Sequence, residues 1–180
     1  MKKLFKKKYK RNIGIFGGTF DPPHEGHLHI ATVGIKKLKL DNLMWIVTKK
    51  NPLKEKSFLS VNSRIKLSKV ITKKEKKIFV KYYDNKVKST NTFNVLNFIK
   101  ARNGNAKLFF LIGADNLAKF HKWHNWEKIP RLAKITVFPR KSYSFKSLKP
   151  ITYKKLNKND FIYIKSKKIN ISSSLIRKFW

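Results

Sequence analysis

The chain has 180 residues, of which 41% are hydrophobic and 13% aromatic, enough to close one core and too apolar for a disordered chain. It has no cysteine, which excludes a disulfide framework and thiolate metal sites. Lys and Arg number 44 against 9 Asp and Glu, a formal net charge of +35.

That charge suits either a nucleic-acid or anionic surface or a compositional bias. The excess is mostly lysine, it is scattered along the whole chain, and it comes with abundant Asn, Ile and Phe. Bias is therefore the preferred reading, and a nucleic-acid partner is not expected. In either case the field draws phosphorylated small molecules inward. No apolar run approaches the roughly 20 residues that span a bilayer. Residues 1–11 are basic but lack the apolar core and small-residue cleavage site of a secretory signal. The expectations are a basic tail over 1–11, a single domain over 12–180, no membrane partner and a cytoplasmic location.

Ile13-Gly14-Ile15-Phe16 reads as a buried strand. It runs into Gly17-Gly18-Thr19-Phe20-Asp21-Pro22-Pro23-His24-Glu25-Gly26-His27. The two glycines read as a turn that adopts positive φ and lets a ligand approach the backbone. Asp21-Pro22-Pro23 stiffens the loop ahead of the histidines. A helix is predicted from about Glu25 to Lys39. Its start offers unpaired N–H groups and a positive dipole end to phosphate. His24 and His27, three apart, are expected to share a face and point at one phosphate.

Leu43 to Val47 is a second strand, and the spacing from the first leaves room for one crossover helix, a parallel βαβ unit. The loop Asn51-Pro52-Leu53-Lys54 then falls at a strand's carboxyl end, where open α/β sheets bind ligands. Ser60 or Asn62 caps a helix over about Val61–Thr72, with Ile65, Leu67, Val70 and Ile71 as its apolar set. Further strands are predicted over Ile78–Tyr83, Lys107–Ile112, Ile135–Phe138 and Phe161–Ile164. Helices are predicted over Thr92–Ala101, after Asn116, near Glu127–Ala133 and after Ser172. Arg140 to Pro150 reads as a basic loop. The alternation gives an α/β doubly wound, mostly parallel sheet.

Three constellations fall at strand ends. The opening stretch is neither a Walker A loop nor the dinucleotide fingerprint, because its glycine spacing fits neither. Gly113-Ala114-Asp115-Asn116 places a carboxylate where it can take ribose hydroxyls, although Asp115 alone could be no more than a helix cap. Ile171-Ser172-Ser173-Ser174-Leu175-Ile176-Arg177 offers hydroxyls, a helix start and a bidentate phosphate donor, although alone it could be a serine cap with a solvated arginine. Trp123 can stack on an aromatic ligand or fill the core, as can Trp126. His121 and His124 read as surface groups.

Taken together, Gly17 to His27, Asn51 to Lys54, Gly113 to Trp126 and Ile171 to Arg177 resemble the nucleotidyltransferase superfamily, and within it the nicotinate-nucleotide adenylyltransferases. The resemblance runs from Asn12 to Arg177. It implies a Rossmann-like nucleotidyltransferase fold and transfer of AMP from ATP, with Mg²⁺, to nicotinate mononucleotide. It implies ATP contacts at Gly17, Gly18, Thr19, Phe20, His24, His27, Gly113, Asp115, Ser172, Ser173, Ser174 and Arg177, with His24, His27 and Arg177 catalytic. Lys54, Thr92, Phe93, Trp123 and His124 match its acceptor side: Trp123 stacks on the pyridine ring and Thr92 sits beside the carboxylate. The segment departs from the family's usual Tyr-Thr-x-x-Thr-Leu, so Thr90 is an alternative to Thr92, and Val95 stands at the second threonine.

Overall fold

The computed structural model describes residues 11–50, 57–139, 156–167 and 169–180. Six strands form one parallel sheet in the order β3-β2-β1-β4-β5-β6. They are β1 (Asn12–Gly18), β2 (Asn42–Val47), β3 (Ile78–Lys81), β4 (Lys107–Gly113), β5 (Lys134–Phe138) and β6 (Phe161–Tyr163). The helices are α1 (Glu25–Lys37), α2 (Val61–Ile71), α3 (Asp84–Val87), α4 (Thr92–Arg102), α5 (Ala114–Ala118), α6 (Ile129–Leu132) and α7 (Ser173–Ile176). The doubly wound reading holds. The strand order reverses between β1 and β4, which opens a crevice at their carboxyl ends.

Both faces of the sheet are covered, so the strands read as apolar runs and not as alternations. Ile13, Ile15, Leu108, Phe110, Ile112, Ile135 and Val137 face α4, α5 and α6, against Leu96, Leu117 and Ile129. Phe16, Phe109, Leu111 and Phe138 face the other way, against Ile30 and Ala31 of α1. At Gly34 of α1 a Cβ would lie 2.6 Å from Leu111 Cδ2, so a side chain there would have to displace Leu111 of β4.

Three predicted elements differ. β1 does not stop at Phe16: Gly17 and Gly18 stay in ladder register with Ile46 and Val47. β3 ends at Lys81, two residues short of the expected end at Tyr83, and the short helix α3 follows from Asp84. The largest difference is α2. Its buried residues are Arg64 and Ser68, one turn apart and followed by buried Thr72, whereas Val70 is 65% exposed. Of the expected apolar set, Ile65 packs against the core, Leu67 and Ile71 are half-buried, and the fully buried positions go to polar residues. The reason lies beneath the helix: Trp45 Nε1 donates to Ser68 Oγ at 3.2 Å, and strand-end carbonyls face Arg64. Ser60 is the cap, its hydroxyl accepting from the Ser63 N–H at 3.1 Å. Lys54 and the loop from Arg140 to Pro150 lie outside the described residues, as does the tail up to residue 10.

Candidate active site

Gly17 and Gly18 do not form the expected turn, and neither has positive φ. Their use is the missing side chain. A Cβ on Gly17 would meet nothing within 4 Å, and one on Gly18 would lie 3.2 Å from the Phe20 ring. The left-handed residue is Phe20 itself, at φ 48°. That conformation costs a non-glycine residue about 1–2 kcal/mol. Burial of the ring offsets it: Phe20 stacks on Trp45 with centroids 4.4 Å apart and meets the edge of His27 at 5.0 Å.

His24 is the N-cap of α1, not a residue of its first turn, and His27 is the third helical residue. The two rings stack with centroids 3.7 Å apart and 28° between planes. The His24 backbone N–H donates to His27 Nδ1 at 3.3 Å. In the neutral His27 ring the proton therefore sits on Nε2, which makes that nitrogen the donor. The glycine between the histidines sits in tight packing. A Cβ on Gly26 would lie 3.0 Å from the His24 ring and 3.1 Å from Ile171 Cγ2.

Ile171 opens the second motif, which is thus pressed against the first. Ser173 Oγ donates to the Pro22 carbonyl at 2.9 Å, across a sequence separation of 151. Arg177 Nη1 donates to the Asp21 carbonyl, and its Nη2 donates to Ser174 Oγ at 3.2 Å. Ser172 caps α7 by accepting the Leu175 N–H at 3.1 Å. Arg177 is the C-cap of this four-residue helix and opens the 3-10 turn Arg177–Phe179 that follows it. Its guanidinium braces Asp21 and Ser174.

A cleft of about 430 Å³ opens beside this clamp at the strand ends. Gly17, Gly18 and Thr19 form one wall, Thr90, Asn91 and Thr92 another, and Lys122, Trp123 and His124 a third. Both candidate threonines line it, as does Val95. Trp123 is half-buried, its ring 5.3 Å from Phe120 and 6.1 Å from Phe110, while Trp126 belongs to the core. His124 is exposed, as expected, and hydrogen-bonds to Asn125 Nδ2 at 2.9 Å. His121 is only half-exposed. The Phe93 ring packs 6.4 Å from His124 and is not part of the lining. Gly113 ends β4 and caps α5, so Asp115 is not a cap. The polar side chain this motif gives the cleft is Asn116. Phe20, His24, His27 and the serine motif stand outside the cleft lining. The stretch from Gly17 to Asp21 joins the two parts, lining the cleft at one end and receiving Arg177 at the other.

Sequence reasoning missed a buried charged group behind this wall. Arg64 is 1% exposed and donates to four carbonyls: Leu59 at 3.1 Å, Thr19 at 2.7 Å, Thr48 at 2.7 Å and Lys49 at 3.1 Å. Burial pulls its pKa below the ordinary arginine value, an effect opposed by Asp21 and Asp84. Asp21 accepts the N–H groups of Phe58 at 2.7 Å and Leu59 at 2.8 Å. Asp84 Oδ2 accepts the Lys49 N–H at 2.6 Å and the Thr48 hydroxyl at 3.0 Å. The only available signal was the four-residue spacing Ser60, Arg64, Ser68, and one arginine among 44 basic residues does not stand out.

The cytidylyltransferase-like family model matches residues 15–179. The chain belongs to the cytidylyltransferase-like family. Within that family it is 45% identical over 169 residues to a Pelagibacter ubique protein described as "Probable nicotinate-nucleotide adenylyltransferase", covering 94% of this chain and 93% of that one. A Rhizobium etli protein of the same description is 40% identical over 71% of this chain and 67% of its own length. The Plasmodium falciparum nicotinic acid mononucleotide adenylyltransferase complexed with NaAD shares the fold, with a TM-score of 0.73 at 23% identity, over 94% of this chain and 83% of that one.

Proposed function

We propose that this member of the family transfers AMP from ATP to nicotinate mononucleotide, giving deamido-NAD and pyrophosphate, a step of NAD biosynthesis in the cytoplasm. The observation that carries this reading is the union of the histidine and serine motifs from opposite ends of the chain, beside a cleft that holds Trp123 and the start of α4. The 45% identical relative bears the corresponding description. No helix among the described residues is long and apolar enough to cross a membrane.

The acceptor's phosphate is already largely dianionic at neutral pH and attacks the ATP α-phosphorus without a strong base. One P–O bond forms to the acceptor oxygen, and the bond to pyrophosphate breaks. Catalysis is then positioning and charge neutralisation. His27 donates from Nε2, the first turn of α1 adds N–H groups, and Arg177 holds the loop that carries the histidines. Mg²⁺ enters with ATP as part of the substrate. Among the described residues no three His, Cys, Asp or Glu side chains cluster as metal ligands. The pyridine ring stacks on Trp123, and its carboxylate faces the N–H groups at the start of α4, near Thr92. Lys50 and Lys122 at the cleft add positive charge.

The test incubates the protein with ATP, Mg²⁺ and nicotinate mononucleotide. Equal amounts of pyrophosphate and deamido-NAD are expected. Absence of either product overturns the reading.

A further inference from the structure

We infer that Arg64 is a positioning residue for the acceptor, holding the wall of the cleft from behind. The inference rests on the acceptor reading above, because the cleft whose wall Arg64 holds is the one in which that reading seats nicotinate mononucleotide against Trp123.

A guanidinium has five N–H donors in a rigid fork. Burying one is costly unless those donors are used. Arg64 makes four hydrogen bonds, all to carbonyls, on three separate segments: Thr19 after β1, Thr48 and Lys49 after β2, and Leu59 before α2. No backbone ladder joins these segments beyond the strand ends, apart from the Thr48 N–H, which donates to the Gly18 carbonyl at 3.0 Å. Thr19 and Thr48 line the cleft, and so does Lys50, which directly follows Lys49. Asp84 grips the same β2 loop from its other side, through the Lys49 N–H and the Thr48 hydroxyl. The loop is thus held between a buried cation on its carbonyls and a buried carboxylate on its donors.

Arg64 has no hydrogen bond to the clamp residues His24, His27, Ser173 or Arg177; its four partners belong to the cleft wall and the loop before α2. Three of the four, Thr48, Lys49 and Leu59, lie outside the residues expected to contact ATP, so its loss should fall more on the acceptor than on ATP. A displaced wall misplaces the attacking phosphate, and errors on the order of 1 Å in such positioning are costly.

The test is Arg64→Lys, which keeps the charge and loses the fork. Amide exchange and steady-state kinetics are read on the same preparations. Exchange should quicken at Lys49, Phe58 and Leu59 while the β4 amides stay protected. The KM for nicotinate mononucleotide should rise about tenfold, with the KM for ATP changed by less than about twofold. Unchanged exchange at the loop amides overturns the inference, as does a loss shared equally by both substrates. Asp84→Asn should give the same pattern at Lys49 with a smaller KM rise. It decides the matter if Arg64→Lys does not fold. Should the wild type show no transfer to nicotinate mononucleotide, the acceptor reading fails, and the exchange data still decide whether Arg64 holds the wall.

Discussion

The clamp draws on two short motifs that meet across a sequence separation of 151 to 156 residues, with Ser173 on Pro22 and Arg177 on Asp21. The cleft beside it draws on the ends of three strands, the approach to α4 and the segment around Trp123, and buried Arg64 holds part of it from behind. Phosphate recognition needs a few donors at a helix start, and these can be written in adjacent residues. An acceptor pocket needs shape. Shape comes from loops that share no sequence pattern and must be tied together by buried polar groups.

The largest expected effect breaks the clamp at its donor. His27→Ala should lower kcat about 10²-fold or more while circular dichroism stays that of the wild type. Pyrophosphate release measures it, and near-normal turnover would remove His27 from the mechanism. Next comes the brace between the two motifs. Arg177→Ala loses both the Asp21 and Ser174 bonds, and kcat/KM for ATP should fall about tenfold or more. Arg177→Lys should recover only part of this, since a single ammonium cannot span both partners.

On the cleft side, Trp123→Ala should raise the acceptor KM by roughly tenfold and leave the ATP KM nearly unchanged, the size expected for one aromatic stack. Quenching of Trp123 fluorescence by nicotinate mononucleotide, in a chain without the other three tryptophans, reports the same contact. Equal effects on both substrates would erase the division between the two parts. The smallest catalytic effect is expected at Asp21→Asn. One carboxylate oxygen becomes an NH₂ that faces a backbone N–H, so stability should drop by about 1–3 kcal/mol, seen as a lower Tm. A thermal melt checks it.

Legibility in the sequence followed the same division. The sheet is readable because its four central strands, β2, β1, β4 and β5, are short, largely buried apolar runs. The parallel topology followed from the spacing for crossover helices. The histidine and serine motifs were readable because their chemistry is local. In α2 the residues Ile65, Leu67, Val70 and Ile71 form a plausible apolar stripe, but the Trp45 indole and the strand-end carbonyls beneath the helix call for Ser68 and Arg64. Local pattern carries no information about which carbonyls wait below a helix. Gly17 and Gly18 were read as a turn because glycine permits one, yet the positive φ fell on Phe20, where stacking on Trp45 outweighs propensity. Asp84 is not legible because it opens a four-residue helix between two predicted elements, in a stretch with no motif of its own.

The most direct measurement is kcat/KM for three acceptors under one condition of ATP and Mg²⁺: nicotinate mononucleotide, nicotinamide mononucleotide and pantetheine phosphate. The α4 start and the cleft lysines favour the acceptor that carries a carboxylate, so nicotinate mononucleotide should lead clearly. A higher value for either of the others would contradict the assignment of the cleft, even with the clamp intact.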